Sequence, residues 1–352
     1  MLGVDLGEVP AVRLEGIRFI DETLEALHND ELRIDEADGA GEVYARFPQG
    51  AGLGMRRTAL HAALIARAER LGARLAWGTR VSSVGQGEAV AGRSTVGCRY
   101  VVCADGLHSA LRQRVGLGPG KVRRRRYGFR SHYRVPPWSQ FVEVYWAGCG
   151  QIYVTPVGAE EICVALLTSD PHARLERVLP AFPTLREKLR RAATFPQADL
   201  GLAGCHGGGD ECGDKGRDES RMGGITATNR LQAVTRGRIA LLGDASGSAD
   251  AITGDGLSLA FQQAIALAEA MACGELGGYQ RAHERISRLP RAMGELLLLL
   301  DGHPRLRRRV FAVFRQSPEI FDRMLAVHTR GISPLQLGMR DCLRFGWKLL
   351  GA

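Results

Sequence analysis

Residues 237–264, GRIALLGDASGSADAITGDGLSLAFQQA, constrain the fold of this chain more than any other segment. Residues 238–242 are a short apolar run of the kind that forms a covered parallel strand, and Gly243 and Asp244 end it. Residues 257–271 are rich in Ala and Leu and predict a helix that begins directly after a small-residue turn. An acid at the carboxyl end of a parallel strand and free N–H groups at a helix start both favour polar ligands. The segment therefore predicts a binding site for an anion or a polar ring.

A second polar turn follows another apolar run and has the sequence CADGLHSALR, residues 103–112. The apolar run predicts a buried strand, and Asp105 and Gly106 predict the turn after it. Ser109 is suited to cap the next helix, and Arg112 lies on the first turns of that helix. Like the first segment, this one places an acid beside the carboxyl edge of a sheet.

The two turns resemble the GD and DG motifs of the FAD-dependent monooxygenases and reductases of the para-hydroxybenzoate hydroxylase superfamily. The match to the DG motif is complete, and the match to the GD motif covers Asp244 and the four residues before the predicted helix. The resemblance implies an α/β fold: a Rossmann-like FAD-binding domain, N-terminally incomplete here, with an inserted antiparallel β substrate domain and a helical C-terminus. It also implies FAD as the cofactor and NAD(P)H as the reductant.

The resemblance further assigns cofactor binding to residues in three segments. One segment matches the family's Arg-x-x-Leu helix start, whose arginine approaches the cofactor. In the GD motif the acid bonds the ribitol or ribose side of FAD, and the helix start faces the pyrophosphate and the pyrimidine edge of the flavin. The predicted cofactor-binding residues are Arg57, Asp105, Gly106, Gly243, Asp244, Thr253, Gly254, Asp255 and Gly256. No catalytic residue is named, because the flavin carries the reaction and the protein orients it.

The predicted function is that of an FAD-dependent oxidoreductase, an NAD(P)H-using monooxygenase acting on an aromatic or lipid-like small molecule. Two alternatives stay open. Ser246-Gly247 and Ala251 stand where the hydroxylase branch has Ala-His and Pro, and this form is closer to the geranylgeranyl reductase branch, whose members reduce alkenes. The other alternative is a truncated flavin-fold protein without activity.

That last alternative rests on the start of the sequence. Members of the family are expected to open with a strand, a G-x-G-x-x-G loop and a helix, which together bind the FAD pyrophosphate. The first residues of this sequence resemble the family's sequence beyond that unit. We therefore expect about 30 residues or more of a βαβ unit to be missing. Either the start codon is assigned too far downstream, which we favour, or the chain is a truncated form that does not hold FAD tightly.

The resemblance also divides the chain into domains. The FAD-binding domain is discontinuous, and the substrate domain is inserted into it. The predicted limits are 46–118 plus 225–275 for the FAD-binding domain, 119–203 with part of 1–45 for the substrate domain, 204–224 for a flexible loop and 276–352 for a helical C-terminal region.

The chain has 352 residues and a formal net charge of +9, which raises the question of nucleic-acid binding. The arginine runs 123–126 and 305–309 are the candidate patches. No nucleic-acid-binding motif accompanies them, so we predict a small-molecule substrate and no nucleic-acid partner. The Cys, His and Asp residues of the Gly-rich stretch 204–224 lack the spacing of ligand pairs, so we predict no metal site.

Eight cysteines occur without a C-x-x-C pair. Cys98, Cys103 and Cys163 lie within apolar runs, and this predicts buried thiols and a cytoplasmic protein. The longest aliphatic block, residues 296–300, is far shorter than the ~20 residues that span a bilayer. Residues 335–350 mix apolar and basic side chains. We favour internal packing of this segment, and peripheral contact with a membrane or with another subunit stays open.

The hydrophobic pattern predicts further elements. Apolar residues recur at helical spacing between Arg57 and Leu71. The remaining predictions are a strand over 75–84, a crossing loop over 50–57, and an antiparallel sheet built from the β-prone runs 130–135, 141–146, 151–154 and 161–167.

Overall fold

The computed structural model describes residues 3–7, 9–22, 42–48, 52–118, 121–194, 222–336 and 345–346. The chain divides into two compact units. The first is drawn from Met1–Arg74, Tyr127–Gly224 and His303–Ala352, and the second from Leu75–Arg126 and Ile225–Gly302.

The described strands are β1 (Ala11–Leu14), β2 (Gly16–Asp21), β3 (Glu42–Arg46), β4 (Gly52–Met55), β5 (Val81–Val84), β6 (Glu88–Ala91), β7 (Ser94–Gly97), β8 (Val101–Cys103), β9 (Lys121–Arg134), β10 (Phe141–Ala147), β11 (Gly150–Gly158), β12 (Glu161–Thr168), β13 (Ala193–Thr194), β14 (Met222–Arg230), β15 (Thr235–Arg236) and β16 (Ile239–Leu241). The described α-helices are α1 (Arg57–Arg70), α2 (Ala110–Arg114), α3 (Leu175–Val178), α4 (Pro183–Arg190), α5 (Gly256–Ala272), α6 (Gly277–Gly302), α7 (Pro304–Gln316) and α8 (Pro318–His328).

A large sheet with the strand order β13-β9-β12-β11-β10-β2-β3 organises the first unit, and β14 also pairs with β9. Neighbouring strands from β9 to β10 are antiparallel, whereas β2 and β10 are parallel. The side chains of β12 alternate, so that Ile162, Val164 and Leu166 are buried on one face. The antiparallel sheet predicted from the β-prone runs is confirmed.

Helices of the first unit cover both faces of this sheet. On one face, Leu175, Leu185 and Leu189 of α3 and α4 pack into the core that contains Ile162. On the other face, Phe19 of β2 lies 4.9 Å from Phe321 of α8, measured between ring centroids, and 5.6 Å from Phe311 of α7. Burial of these aromatic rings supplies a large part of the hydrophobic driving force.

The second unit is built around a small sheet with the order β15-β16-β8. β16 and β8 are parallel, with Ile239 opposite Val101 and Leu241 opposite Cys103. All three residues of β16 are buried, as the sequence predicted for a covered parallel strand. Helices α5 and α6 pack against each other, and Leu267 and Tyr279 from them complete the core beside this sheet.

Three predictions about local structure need correction. The strand predicted over 75–84 forms only at Val81–Val84. The loop predicted over 50–57 contains strand β4, which pairs antiparallel with β1. The flexible loop predicted over 204–224 ends in strand β14, which begins at Met222, and the rest of it lies outside the described residues.

Among the residues whose burial the structure describes, each arginine run contributes a buried arginine. Arg126 is 2% exposed and forms an ion pair with Asp250, with Nη1 3.2 Å from Oδ1. Arg307 is fully buried, and its Nε lies 2.6 Å from Oδ2 of Asp21. These two side chains therefore belong to the cores of the units and are not part of a solvated basic patch.

Of the three cysteines predicted to be buried, Cys103 is buried and the other two are only partly buried. Cys103 is buried, and burial raises the pKa of its thiol to about 11. Cys98 and Cys163 are half-buried rather than fully buried, and the five cysteines in the described ranges are free thiols.

The α/β fold class is confirmed, and the C-terminal region is helical where it is described, from α7 to α8. The predicted domain limits stay a prediction, and most of residues 335–350 lie outside the described part of the chain. No described helix is long and apolar enough to cross a membrane. Within the same residues, no group of three His, Cys, Asp or Glu side chains could hold a metal ion.

Candidate functional site

The GD turn, residues 243–247, follows β16 directly. Gly243 has φ +60°, a left-handed conformation that favours glycine, and it starts a 3-10 helix, Gly243–Ser246. The Gly243 N–H donates to Oε1 of Gln263 on α5 at 2.9 Å, and Ser246 Oγ donates to the Gly243 carbonyl at 2.7 Å. Buried side chains thus hold the turn, while Asp244 within it is exposed.

The DG turn, residues 104–109, follows β8. Asp105 accepts a hydrogen bond at Oδ1 from Ser109 Oγ, at 2.5 Å, and one at Oδ2 from the Leu111 N–H, at 3.2 Å. Ser109 in turn accepts from the Arg112 N–H at 2.9 Å, which makes it the predicted N-cap of α2. Both oxygens of Asp105 therefore tie the turn to α2, a role that sequence reasoning did not assign to it.

The parallel pairing of β8 and β16 brings the two turns together. Because the carboxyl ends of parallel strands meet at one edge of a sheet, Asp105 and Asp244 follow neighbouring strand ends. Arg112, which is 4% exposed, links them directly: Nη1 donates to the Ala245 carbonyl at 3.1 Å and Nη2 to the Leu107 carbonyl at 3.0 Å. Burial lowers the pKa of its guanidinium, and the charge of Asp105 opposes this shift.

A buried acid organises the start of α5. Asp250 caps the 3-10 helix Ala251–Thr253 by accepting from the Ile252 N–H at 3.0 Å, and it pairs with Arg126. Thr253 Oγ1 lies 3.4 Å from the N–H of Asp255, which precedes α5. No side chain caps the first turn of α5, so its N–H groups and the positive end of the helix dipole are available to an anion.

Open space lies above three glycines of the two motifs. A Cβ placed on Gly106, Gly254 or Gly256 would meet no heavy atom within 4 Å. Gly106 and Gly254 have positive φ, of +81° and +71°. In the second unit, eight predicted cofactor-binding residues thus stand at the carboxyl edge of β8 and β16 or at the start of α5, and the backbone between them can be approached closely.

Arg57 belongs to the first unit, where it is the exposed first residue of α1. Its neighbour Arg56 forms an ion pair with Glu161: Arg56 Nε lies 2.7 Å from Oε1 and 2.8 Å from Oε2 of that carboxylate. No residue of α1 is buried, although its apolar residues recur at helical spacing as predicted.

Sequence reasoning missed the residues that support the GD turn from behind. His283 Nε2 lies 2.9 Å from Ser246 Oγ, and the Tyr279 hydroxyl donates to the Leu241 carbonyl at 2.8 Å. The two side chains are four residues apart on α6, and Gln263 is a polar residue in an apolar helix. The four-residue spacing and the isolated polar residue could have marked these side chains as candidates, but the sequence does not show which groups they contact.

Comparison with known proteins places the chain in a family. The profile of the family described as "FAD binding domain" matches residues 27–283. The chain therefore belongs to the FAD binding domain family, and this makes it an FAD-dependent oxidoreductase. No curated protein gives a significant match.

Solved structures agree on the fold. The flavin-dependent brominase Bmp2 has a TM-score of 0.68 at 14% identity, covering 93% of this chain and 79% of that one. PqsL of Pseudomonas aeruginosa, described as a probable FAD-dependent monooxygenase, has a TM-score of 0.60 at 18% identity, covering 84% and 81%. The tetrameric form of 2-methyl-3-hydroxypyridine-5-carboxylic acid oxygenase has a TM-score of 0.54 at 17% identity, covering 86% and 75%. The predicted flavin-monooxygenase fold is confirmed, while the nine cofactor-binding residues stay a prediction.

The second unit fits FAD by its own geometry. Pyrophosphate oxygens accept hydrogen bonds, and the uncapped start of α5 offers N–H donors beside the space above Gly254 and Gly256. Ribitol and ribose hydroxyls donate hydrogen bonds, and Asp244 offers an exposed carboxylate.

Proposed function

We propose that the chain is an NAD(P)H-using FAD-dependent monooxygenase that acts on an aromatic or lipid-like small molecule. The observation that carries the proposal is the pair of turns at the ends of β8 and β16, joined by Arg112, together with the open space above Gly106, Gly254 and Gly256.

Each part of this edge has a task in the proposal. The start of α5 binds the FAD pyrophosphate, and Asp244 accepts hydrogen bonds from the polyol. Arg112 and Gln263 hold the two turns in place, so the entropy cost of ordering these turns on cofactor binding is small. When bound, FAD would supply the redox chemistry, namely hydride acceptance and oxygen activation.

The names of the structural neighbours favour oxygenation of an aromatic substrate over alkene reduction. One acts on a hydroxypyridine carboxylic acid and another is described as a monooxygenase. The form of the GD motif around Ser246 resembles the reductase branch, but none of the three neighbours named above is described as a reductase. The cytoplasmic location and the absence of a nucleic-acid partner remain parts of the proposal. Peripheral membrane contact through the C-terminal segment stays an alternative to internal packing, which we favour.

A flavin titration tests the cofactor site. We expect the purified 352-residue chain to bind FAD and quench its fluorescence, and Gly256→Ala to weaken binding at least tenfold, or about 1.4 kcal/mol, because the methyl group fills the space at the start of α5. Gly278→Ala is the matched control, since Gly278 also lies in the first turn of a helix with open space above it. Equal FAD affinity of Gly256→Ala and the wild type would mean that the start of α5 does not contact FAD. Absence of FAD binding by the wild type would overturn the proposal.

Oxygen consumption tests the reaction. With FAD and NADPH present, an aromatic substrate should stimulate oxygen uptake, with one oxygen atom incorporated into the product. Anaerobic turnover of an alkene at an undiminished rate would instead establish a reductase.

A further inference from the structure

Helix α7 of the first unit presents a row of arginines to solvent. Arg305, Arg308 and Arg309 are exposed, and their spacing of three and four residues places them on one side of the helix. Arg315, which is also exposed, follows Arg308 by seven residues and extends the row. From Arg305 to Arg315 the helix rises by about 15 Å. These four side chains form the arginine face of α7.

The charge of this face is not neutralised by the helix that carries it. Within the described ranges, Arg305, Arg308 and Arg309 form no hydrogen bond or ion pair, and α7 contains no Asp or Glu. Asp301, the acid that precedes α7 in the sequence, is paired with Arg126, whose Nη2 lies 3.4 Å from Oδ2. Like charges three and four residues apart destabilise a helix. The arginine face therefore does not stabilise α7, and its charge is available to an external anion.

The exposed arginines of α6 show a different arrangement. Arg281, Arg285 and Arg288 are exposed on that helix, and the exposed Glu284 lies among them, three residues after Arg281 and four before Arg288. A carboxylate at these spacings interacts favourably with arginine along a helix. The surface of α6 thus mixes charges as solvated helices do, whereas the arginine face of α7 carries one sign only.

The surroundings of the arginine face restrict the kind of partner. Among the described residues from 303 to 336, no large hydrophobic side chain is exposed. Protein interfaces depend on aromatic or apolar anchors, and single-stranded nucleic acids are bound by stacking on aromatic rings. A layer of anionic lipid head groups, in contrast, requires only positive charge on one side of the molecule. The arginine face therefore fits an anionic lipid surface best.

We propose that the arginine face of α7 binds the surface of an anionic membrane. The guanidinium groups contact the phosphate and carboxylate groups of the lipid heads. Helix α7 does not insert, because Phe311 and Phe314 on its other side are buried in the core. The contact is therefore reversible and sensitive to salt, which screens exposed charges. The inference goes beyond the proposed function and does not depend on it, because the GD and DG turns belong to the second unit.

Co-sedimentation of the 352-residue chain with lipid vesicles tests this inference. At low ionic strength, the wild type should bind vesicles of phosphatidylcholine and phosphatidylserine in equal parts, and should not bind vesicles of phosphatidylcholine alone. It should be released in ~1 M NaCl, where charges are screened beyond about 3 Å. The triple variant Arg305→Gln, Arg308→Gln, Arg309→Gln should bind the mixed vesicles about a hundredfold more weakly, because each arginine near an anionic surface adds to the affinity.

The matched control removes the same charge from another helix. Arg281→Gln, Arg285→Gln, Arg288→Gln changes three exposed arginines of α6, and it should bind the mixed vesicles within about threefold of the wild type. Equal losses in the two Gln variants would mean that binding follows net charge alone, and would overturn the proposal.

A charge-retaining variant tests what is recognised. Arg305→Lys, Arg308→Lys, Arg309→Lys should bind the mixed vesicles as the wild type does, because a lipid surface responds to charge rather than to the shape of the guanidinium. Loss of binding in this variant, or binding that persists in ~1 M NaCl, contradicts the inference. Tighter binding to duplex DNA than to the vesicles, lost in the Gln variant of α7, would assign the face to nucleic acid instead.

The outcomes separate this inference from the proposed function. All variants should bind FAD and unfold in urea as the wild type does, because the substituted side chains are exposed. If the Gln variant of α7 misfolds, the wild type decides: salt-sensitive binding to the mixed vesicles supports the inference, and its absence overturns it. FAD binding without vesicle binding refutes only the role of α7, whereas vesicle binding without FAD binding refutes only the flavin function.

Discussion

At the scale of single residues, the backbone that carries Asp244 depends on buried hydrogen bonds behind it. Ser246 Oγ has one hydrogen, which it donates to the Gly243 carbonyl, so His283 must donate from Nε2 to Ser246. His283 is 3% exposed and its pKa is lowered to about 4, first by burial and then by the charge of Arg291. Both the neutral and the protonated ring can donate from Nε2, so it is burial and the charge of Arg291 that keep this histidine neutral in the folded protein.

The lowered pKa of His283 makes the free energy of unfolding depend on pH. Between pH 6.5 and about 4 the unfolded chain protonates His283 and the folded chain does not, so the free energy of unfolding falls as the pH is lowered. The loss is zero above this window and complete below it, at about 3 kcal/mol. In His283→Gln, urea unfolding at several pH values should show a smaller decrease across the window than in the wild type. His172→Gln, at an exposed position, should keep the wild-type decrease. Identical profiles for His283→Gln and the wild type would contradict the assignment.

At the scale of elements, the position of an arginine on a helix decides whether its side chain is buried in the core or exposed to solvent. Helix α7 buries Arg307, Phe311 and Phe314, spaced four and three residues apart on one face, and leaves Arg308 exposed. Arg307 pairs with Asp21 at the end of β2, and neither side chain is exposed. The sequence does not distinguish the arginines of residues 305–309 from one another, but the helix places Arg307 in the core and Arg308 in solvent.

Arg307→Leu should therefore destabilise the protein by about 3–5 kcal/mol, because it leaves a buried carboxylate without its guanidinium. Arg308→Leu, one position away, should change stability by about 0.5 kcal/mol or less. Chemical denaturation of both variants measures the difference. Similar stabilities would mean that Asp21 has another sufficient partner.

Strand β4 is the element that sequence reasoning could not find. Its sequence, GLGM, has little β propensity, and it is ordered by pairing with β1. A Cβ on Gly54 would lie 1.9 Å from the Pro156 carbonyl oxygen of β11, so the close approach of the two backbones requires glycine at this position. Helix α1, in contrast, was predicted from spacing within its own fourteen residues.

At the scale of the whole molecule, stability and cofactor binding are linked. A ligand that binds only the folded state stabilises it, by about 2.7 kcal/mol at a hundred times its Kd. FAD should therefore raise the melting temperature in proportion to the logarithm of its concentration. Hydrogen exchange should slow most in the second unit, around Asp105 and between Gly243 and Gly256.

Gly256→Ala should reduce the thermal shift that FAD produces, whereas Gly278→Ala should retain it. An equal shift in both variants would mean that FAD stabilises the chain through another surface.

The sequence by itself determined the fold class, the buried strands β8 and β16, the cap at Ser109 and the two motifs that identify a flavin protein. These features are local, because strand period, capping and turn chemistry depend on residues a few positions apart. Only the tertiary structure decided that Arg112 joins the two turns, that His283 supports one of them and that Arg56 pairs with Glu161. Those contacts join residues 37 to 133 positions apart, and which side chains meet over such separations depends on strand register and helix packing.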